Sequence, residues 1–294
     1  MYEAFYGLRE RPFELTPNPR FLLMTPRHRE ALTTLEYGLT ARTGIALLLG
    51  EAGTGKTTIV HAALQSQRVS QSRAVYLNNP ALTRVEFVEF LAAGFGLSAD
   101  AARSKTRCLS ELTEVLAHRH AAGVMSALVI DEAQCLPDEL LEETRLLANI
   151  ESATEKLLSI VLAGQPEIAY RLNQPALRQL KQRIGLRCTL TALSLAETSA
   201  YIAERMRIAG GSEGVFTDDA IAMIHERARG IPRTISVIAD NALVTGFALD
   251  YRPVDRDVVL EVCRDFDFGD RADDVLRVAS YVPPVDSSAA HENQ

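Results

Sequence analysis

A run of nine residues, Gly50-Glu51-Ala52-Gly53-Thr54-Gly55-Lys56-Thr57-Thr58, fits the pattern G-x-x-x-x-G-K-[ST]. Glycines at this density let the backbone curl until successive N–H groups converge on one concavity, which suits a phosphate. A helix starting at the lysine adds its partial positive end. Lys56 then reaches the β- and γ-phosphates of a nucleotide, and the Thr57 hydroxyl takes a coordination position on Mg2+. The motif needs a strand before it and a helix after it. Ile45-Ala46-Leu47-Leu48-Leu49 reads as a buried parallel strand, and Ile59 to Leu64 continues as a helix.

A second chemical group follows at Ala127-Leu128-Val129-Ile130-Asp131-Glu132, an apolar run ending in two carboxylates. Parallel sheets hold their ligands at the carboxyl edge, where such a strand delivers its acids. Asp131 is expected to hold Mg2+ through its water shell, and Glu132 to act as general base on the attacking water. Two motifs serving one Mg–ATP site describe ATP hydrolysis. Gln165, after the strand-like run Leu158–Ala163, is placed to touch both that water and the γ-phosphate. Arg233, in Gly230-Ile231-Pro232-Arg233, would reach back to the nucleotide of its own subunit. Arg183 would point outward and complete the site of a neighbouring subunit. A fixed, always-charged guanidinium fork suits both tasks.

Positioning these groups takes a sheet. Apolar runs at 45–49, 74–78, 127–130, 158–163 and 188–190 alternate with helical stretches, which predicts a mostly parallel five-stranded α/β sheet flanked by helices. Lys181, Arg183 and Arg187 fall ahead of the last run. Thr83-Arg84-Val85-Glu86 and Ser194-Leu195-Ala196-Glu197 are capping boxes that open helices. Arg27 to Thr40 is an amphipathic helix that either contributes to an adenine pocket or packs on the core. The first 26 residues mix Phe5, Tyr6, Phe13 and Phe21 with Pro12, Pro17, Pro19 and Pro26, which forbids a long helix and suggests a packed strap. Beyond residue 191 only helical patterns remain, about four of them. The expected organisation is strap and helix over 1–42, α/β core over 43–191, helical lid over 192–266 and a disordered tail over 267–294.

Composition sets bounds on this. The 294 residues are 47% hydrophobic, enough for one large domain or two smaller ones. A net charge of −7 gives no global basic footprint for nucleic acid. Arg103, Lys105, Arg107 and Arg119 are interrupted by apolar residues and read as a solvated face. Cys108, Cys135, Cys188 and Cys263 form no C-x-x-C pair, so buried reduced thiols in a cytoplasmic protein are expected. No apolar run approaches the ~20 residues of a membrane span, and Met1-Tyr2-Glu3 does not open a signal peptide, so a soluble chain is expected.

Further strings carry a family likeness: Phe5-Tyr6-Gly7-Leu8 with Pro12-Phe13, Asp131-Glu132-Ala133-Gln134, Arg145-Leu146-Leu147-Ala148-Asn149-Ile150-Glu151 and Lys156-Leu157-Leu158. Ala163-Gly164-Gln165-Pro166-Glu167, Leu180-Lys181-Gln182-Arg183-Ile184 and Gly230-Ile231-Pro232-Arg233 complete the set. With the phosphate loop, they make the chain resemble the AAA+ ATPases of the general secretion pathway protein A/ExeA family over about residues 1–265. The resemblance implies a P-loop AAA+ module with a C-terminal helical lid. In it Gly50–Thr58 is Walker A, Asp131 and Glu132 lie in Walker B, Gln165 is sensor 1, Arg183 an arginine finger and Arg233 sensor 2. It also implies ATP-dependent homo-oligomers, as rings or filaments, and work at the envelope in type II secretion or exopolysaccharide export. Secretion members of that family continue into a transmembrane helix and a periplasmic peptidoglycan-binding region, whereas 267–294 is polar. Recruitment to the inner membrane would then come through a membrane-bound partner. The alternative is a DNA-associated regulator resembling the TnsC/TniB transposition ATPases, which a salt-dependent DNA interaction would reveal. A small-molecule phosphotransferase is disfavoured by the helical region and its Gly-x-Pro-Arg turn.

Overall fold

Ile45–Leu49 (β1) is buried along its whole length, as a central strand covered on both faces must be. It is joined by Ser72–Leu77 (β2), Met125–Ile130 (β3), Ser159–Gly164 (β4) and Ile184–Thr189 (β5). The order is β2-β3-β4-β1-β5, and every pairing is parallel. The carboxyl ends of β3, β4 and β1 therefore lie side by side, each followed by one of the motifs above. A computed structural model describes residues 1–266 except Pro17, Ser70, Gln71, Asn79 and Glu213. The tail expected to be disordered, 267–294, lies outside the described residues.

Ahead of the sheet run Tyr2–Tyr6 (α1) and Pro26–Thr40 (α2). Thr25 caps α2 and Pro26 occupies its first turn, where a missing N–H costs nothing. Between the strands come Lys56–Gln65 (α3), Arg84–Phe95 (α4), Ala99–Arg103 (α5), Lys105–Ala121 (α6), Asp138–Leu147 (α7), Pro166–Leu172 (α8) and Arg178–Arg183 (α9). The capping box of α4 is complete: Thr83 Oγ1 accepts from the Glu86 N–H at 3.3 Å, and the Thr83 N–H donates to the Glu86 carboxylate at 2.7 Å. The Thr83 N–H and the Thr83 hydroxyl, which also donates to that carboxylate at 2.7 Å, hold the Glu86 carboxyl below its ordinary value. Such a cap is worth about 1 kcal/mol.

Two expectations need correction. The last strand begins at Ile184, so Arg187 lies within β5, exposed, rather than ahead of it. Ile184-Gly185-Leu186 precedes the run that looked strand-like, and its glycine and alternating exposure hide an edge strand's period. Cys135 is exposed, whereas Cys108, Cys188 and Cys263 are buried free thiols. On the face formed by α5 and α6, Arg103 and Arg107 are exposed, as a solvated face requires, while Lys105 and Arg119 are half-buried. Lys105 pairs with Glu143 at 2.7 Å, Arg107 pairs with Asp100, and Arg119 donates to the Phe95 carbonyl at 3.0 Å over the Phe95 ring.

After β5 come Leu195–Ile208 (α10), Asp218–Ala228 (α11), Pro232–Ala248 (α12) and Arg256–Asp265 (α13). They share a core of their own, with Ile235, Ile238 and Leu243 of α12 fully buried. Tyr2, Tyr6, Leu8, Phe13 and Phe21 belong to that same core, so the N-terminal strap packs on the C-terminal helices. Tyr6 is fully buried, and its hydroxyl donates to the Tyr251 carbonyl at 3.2 Å. Arg205 of α10 fastens the strap further. Its guanidinium donates to the carbonyl of Pro12 at 2.8 Å and stacks on the rings of Phe21 and Tyr201. Helix α2, by contrast, packs on the sheet through Ala31, Leu35 and Leu39. The chain thus leaves the helical layer at residue 26, builds the sheet, and returns.

Candidate nucleotide site

β1 ends against β4, with the Gly50 N–H donating to the Gly164 carbonyl at 3.2 Å. The loop that follows is built so tightly that side chains have no room at two of its glycines. A Cβ on Gly50 would stand 2.5 Å from Thr54 Oγ1, the hydroxyl that closes the loop onto the Glu51 carbonyl at 2.8 Å. Gly53 has φ +80°, and a Cβ there would stand 2.7 Å from Cβ of Arg233. Helix α3 starts at Lys56 with its N-terminus at a cavity of about 180 Å3.

Lys56 is 5% exposed, and its ammonium donates to the carbonyls of Gly50 at 2.9 Å and Glu51 at 3.1 Å. An ammonium has three donors, so one remains for a phosphate oxygen. Burial lowers the Lys56 pKa, and the nearby carboxylates of Glu132 and Asp131 oppose that shift.

Asp131, the first residue after β3, is 4% exposed. Its Oδ2 accepts from the Thr57 hydroxyl at 2.6 Å and the Tyr76 hydroxyl at 2.8 Å, and its Oδ1 accepts from the Glu132 N–H at 2.9 Å. Tyr76, the penultimate residue of β2, stacks on His61 with ring centroids 5.1 Å apart, and has its pKa raised by burial and by Asp131. Glu132 is half-buried, lines the cavity and adopts a left-handed backbone with φ 51°. Such a conformation in a residue with a side chain persists only where its surroundings enforce it. The Gln134 side-chain amide donates to the Glu132 carboxylate.

The structure brings Gly53–Thr58, Glu132 and Arg233 to one cavity. Arg233 opens α12, and its backbone N–H donates to the Gly53 carbonyl at 3.1 Å; its side chain is exposed. Gln165 caps α8 at the end of β4, half-buried, with its N–H donating to Gln134 Oε1 at 3.0 Å. Arg183 lies elsewhere. It is exposed at the start of β5, where Ile184 pairs with Ile45 at the opposite end of β1 from the loop. Its charge helps to lower the pKa of the Glu151 carboxyl, and it does not line its own chain's cavity.

The remaining wall comes from the strap and the helical layer, including Asn18, Leu22, Leu193 and Tyr201. Helix α2 contributes His28, whose Nδ1 lies 2.6 Å from Thr25 Oγ1 and which is 4% exposed. Spacing alone did not single out Tyr76, Gln134, His28 or Arg205. Tyr76 and His28 meet their partners only through the fold, whereas Gln134 stands two residues after Glu132 in the acidic motif itself.

The residues fit a magnesium nucleotide. Hydroxyl and carboxylate oxygens suit Mg2+, which usually keeps one or two protein ligands and takes phosphate oxygens for others. Among the described residues no group of three or more His, Cys, Asp or Glu could hold a metal alone. Thr57 and Asp131 are the protein oxygens in place.

Residues 40–172 match the family described as AAA domain. The chain is 42% identical over 248 residues to General secretion pathway protein A of Aeromonas hydrophila, covering 84% of this chain and 45% of that protein. It therefore spans about half the length of that curated relative. Among solved structures, Cdc6p of Pyrobaculum aerophilum superposes with a TM-score of 0.67 at 17% identity, covering 86% of this chain and 70% of that one. The ORC1 protein of Aeropyrum pernix, solved in complex with DNA, gives 0.67 at 18% identity over 92% of this chain and 72% of that one. These two likenesses establish the fold, an AAA+ α/β sheet with flanking helices. No helix among the described residues is long and apolar enough to cross a membrane. By its sequence and its fold, the chain belongs with the AAA+ ATPases of the general secretion pathway protein A/ExeA family.

Proposed function

We propose that the chain binds Mg–ATP, hydrolyses it, and uses the cycle to shift its helical layer against its α/β core. The observation that carries this reading is the Thr57–Asp131 contact at 2.6 Å, with the Glu132 carboxylate beside it at the mouth of α3. Lys56 and the N–H groups of Gly53–Thr58 bind and orient the phosphates. Thr57 and Asp131 would hold Mg2+, which when bound neutralises charge on the phosphates. Glu132 takes the proton of the attacking water, and Gln165 orients that water from the end of β4. The strap and α10 exclude solvent from the nucleoside. Arg233 reports the state of the phosphates to α12, to which the loop is already joined through Gly53. The division into a core over 43–191 and a lid over 192–266 follows from this cycle.

Arg183, exposed at the far end of the sheet, supports a ring or filament in which each copy completes its neighbour's site. The likeness to General secretion pathway protein A supports a place in a secretion or envelope-export system, with a membrane-bound partner as the client. The test is sizing by light scattering with ATP and Mg2+, with and without duplex DNA. Assembly on nucleotide alone is expected. Assembly only on DNA would favour the transposition-type regulator, and a monomer in every condition would remove the shared site.

A further inference from the structure

Gln134 follows Glu132 by two residues, on the short turn of 3-10 helix Ala133–Cys135 that leaves β3. Its side chain is half-buried and bridges two elements of the site. Nε2 donates to the Glu132 carboxylate, and Oε1 accepts the backbone N–H of Gln165 at 3.0 Å. This orientation of the amide is forced by its partners. A backbone N–H can only donate and an ionised carboxylate can only accept, so a flipped amide would lose both bonds.

The surroundings fix Gln134 as firmly as it fixes Glu132. Arg171 of α8 donates to the Gln134 carbonyl at 2.7 Å and forms an ion pair with Asp138 at the start of α7. Gly164, at the end of β4, leaves the space that Gln134 occupies. A Cβ there would stand 3.0 Å from Oε1 and 3.4 Å from the backbone nitrogen of Gln134. A continuous path therefore runs from the Glu132 carboxylate through one amide to Gln165, the residue that follows β4. Glu132 itself is held with φ 51°, a conformation it would abandon without restraint.

We propose that Gln134 is the positioning residue for Glu132. It anchors one carboxylate oxygen so that the other faces the cavity, and it locks that oxygen's position to Gln165. The role rests on the hydrolase reading above. A carboxylate has two oxygens, and a base whose second oxygen is tethered loses the rotamers that would carry the first away from water. Misplacement of a reacting group by about 1 Å can cost on the order of a hundredfold in rate.

The test is steady-state phosphate release by Gln134→Leu, with Gln134→Met as a second apolar replacement should the first fold poorly. The expected result is a fall in kcat of about tenfold to a hundredfold with KM for ATP within about twofold of wild type. Gln134→Glu keeps the length but sets an acceptor against both the carboxylate's position and its charge, so it fails to rescue. In a Glu132→Gln background, Gln134→Leu should cause no further loss, because its whole effect passes through Glu132. Hydrogen exchange at the Gln165 amide should rise in Gln134→Leu, which reads the other end of the bridge without any turnover. Retained kcat in a folded Gln134→Leu, a change in KM alone, or an equal loss in the Glu132→Gln background would overturn the role. A wild-type chain that releases no phosphate would overturn the hydrolase reading and this role together. An active wild type indifferent to Gln134 would overturn this role alone.

Discussion

The backbone N–H of Arg233 donates to the carbonyl of Gly53 at 3.1 Å, which joins the first turn of α12 directly to the phosphate loop. No side chain mediates the contact, which is between the two backbones themselves. Gly53 makes the approach possible, because only glycine tolerates both its φ of +80° and the neighbouring Arg233 Cβ.

Gly53→Ala should therefore cost about 2 kcal/mol or more of stability, from left-handed strain and the displaced contact together. It should also weaken nucleotide binding. A urea melt and a titration with a fluorescent ATP analogue measure the two. Unchanged stability and affinity would mean that loop and helix are not in the contact described.

His28 predicts a pH dependence. Burial pushes its pKa below the ordinary histidine value, against the raising influence of the Thr54 backbone and Glu197. The unfolded chain then binds a proton more readily than the folded one. Stability from this group is complete above the ordinary value of about 6.5 and is lost as pH falls towards the lowered one. Thermal melts of wild type should fall between about pH 7 and pH 5.5. In His28→Gln the slope over that window should be flatter, and an identical slope would assign the acid sensitivity to other groups.

Tyr76→Phe removes one of two hydroxyls that hold Asp131 Oδ2 while leaving Thr57 in place. Loss of such an outer partner typically costs tenfold or more in metal affinity. The Mg2+ concentration giving half-maximal phosphate release should rise by about that factor, with little change in kcat at saturation. An unchanged Mg2+ dependence would show that Asp131 is oriented without the phenol.

Arg183 stands at the start of β5, a strand length of about 16 Å from the loop at the usual rise. If it serves a neighbour, Arg183→Ala and Glu132→Gln chains should each be inactive alone and regain activity when mixed. The interface at which a Glu132→Gln chain offers its Arg183 to the Glu132 of an Arg183→Ala chain is intact, and the reverse interface is not. Failure to regain activity at any ratio would place Arg183 outside the site.

Legibility from sequence followed locality. Walker A residues, the acids after β3 and both capping boxes are contiguous strings whose chemistry and spacing travel together, and all five apolar runs found a place in the sheet. The start of β5 did not, because an edge strand containing Gly185 lacks a continuous apolar run. Nor did the strap's true partner. Phe13 and Phe21 announce burial, but nothing in their spacing says that they pack on helices two hundred residues later. Tyr76 and His28 were missed for the same reason, since a tyrosine at a strand end and a histidine in a first helical turn acquire meaning only from what the fold sets opposite them.

The central claim is that Glu132 activates water in a Mg–ATP site, and one comparison tests it most directly. Phosphate release and ATP binding are measured side by side for wild type and Glu132→Gln. The account predicts that wild type releases phosphate only with Mg2+, and that Glu132→Gln binds ATP as tightly while release falls by about a hundredfold or more. Undiminished release by Glu132→Gln would contradict it.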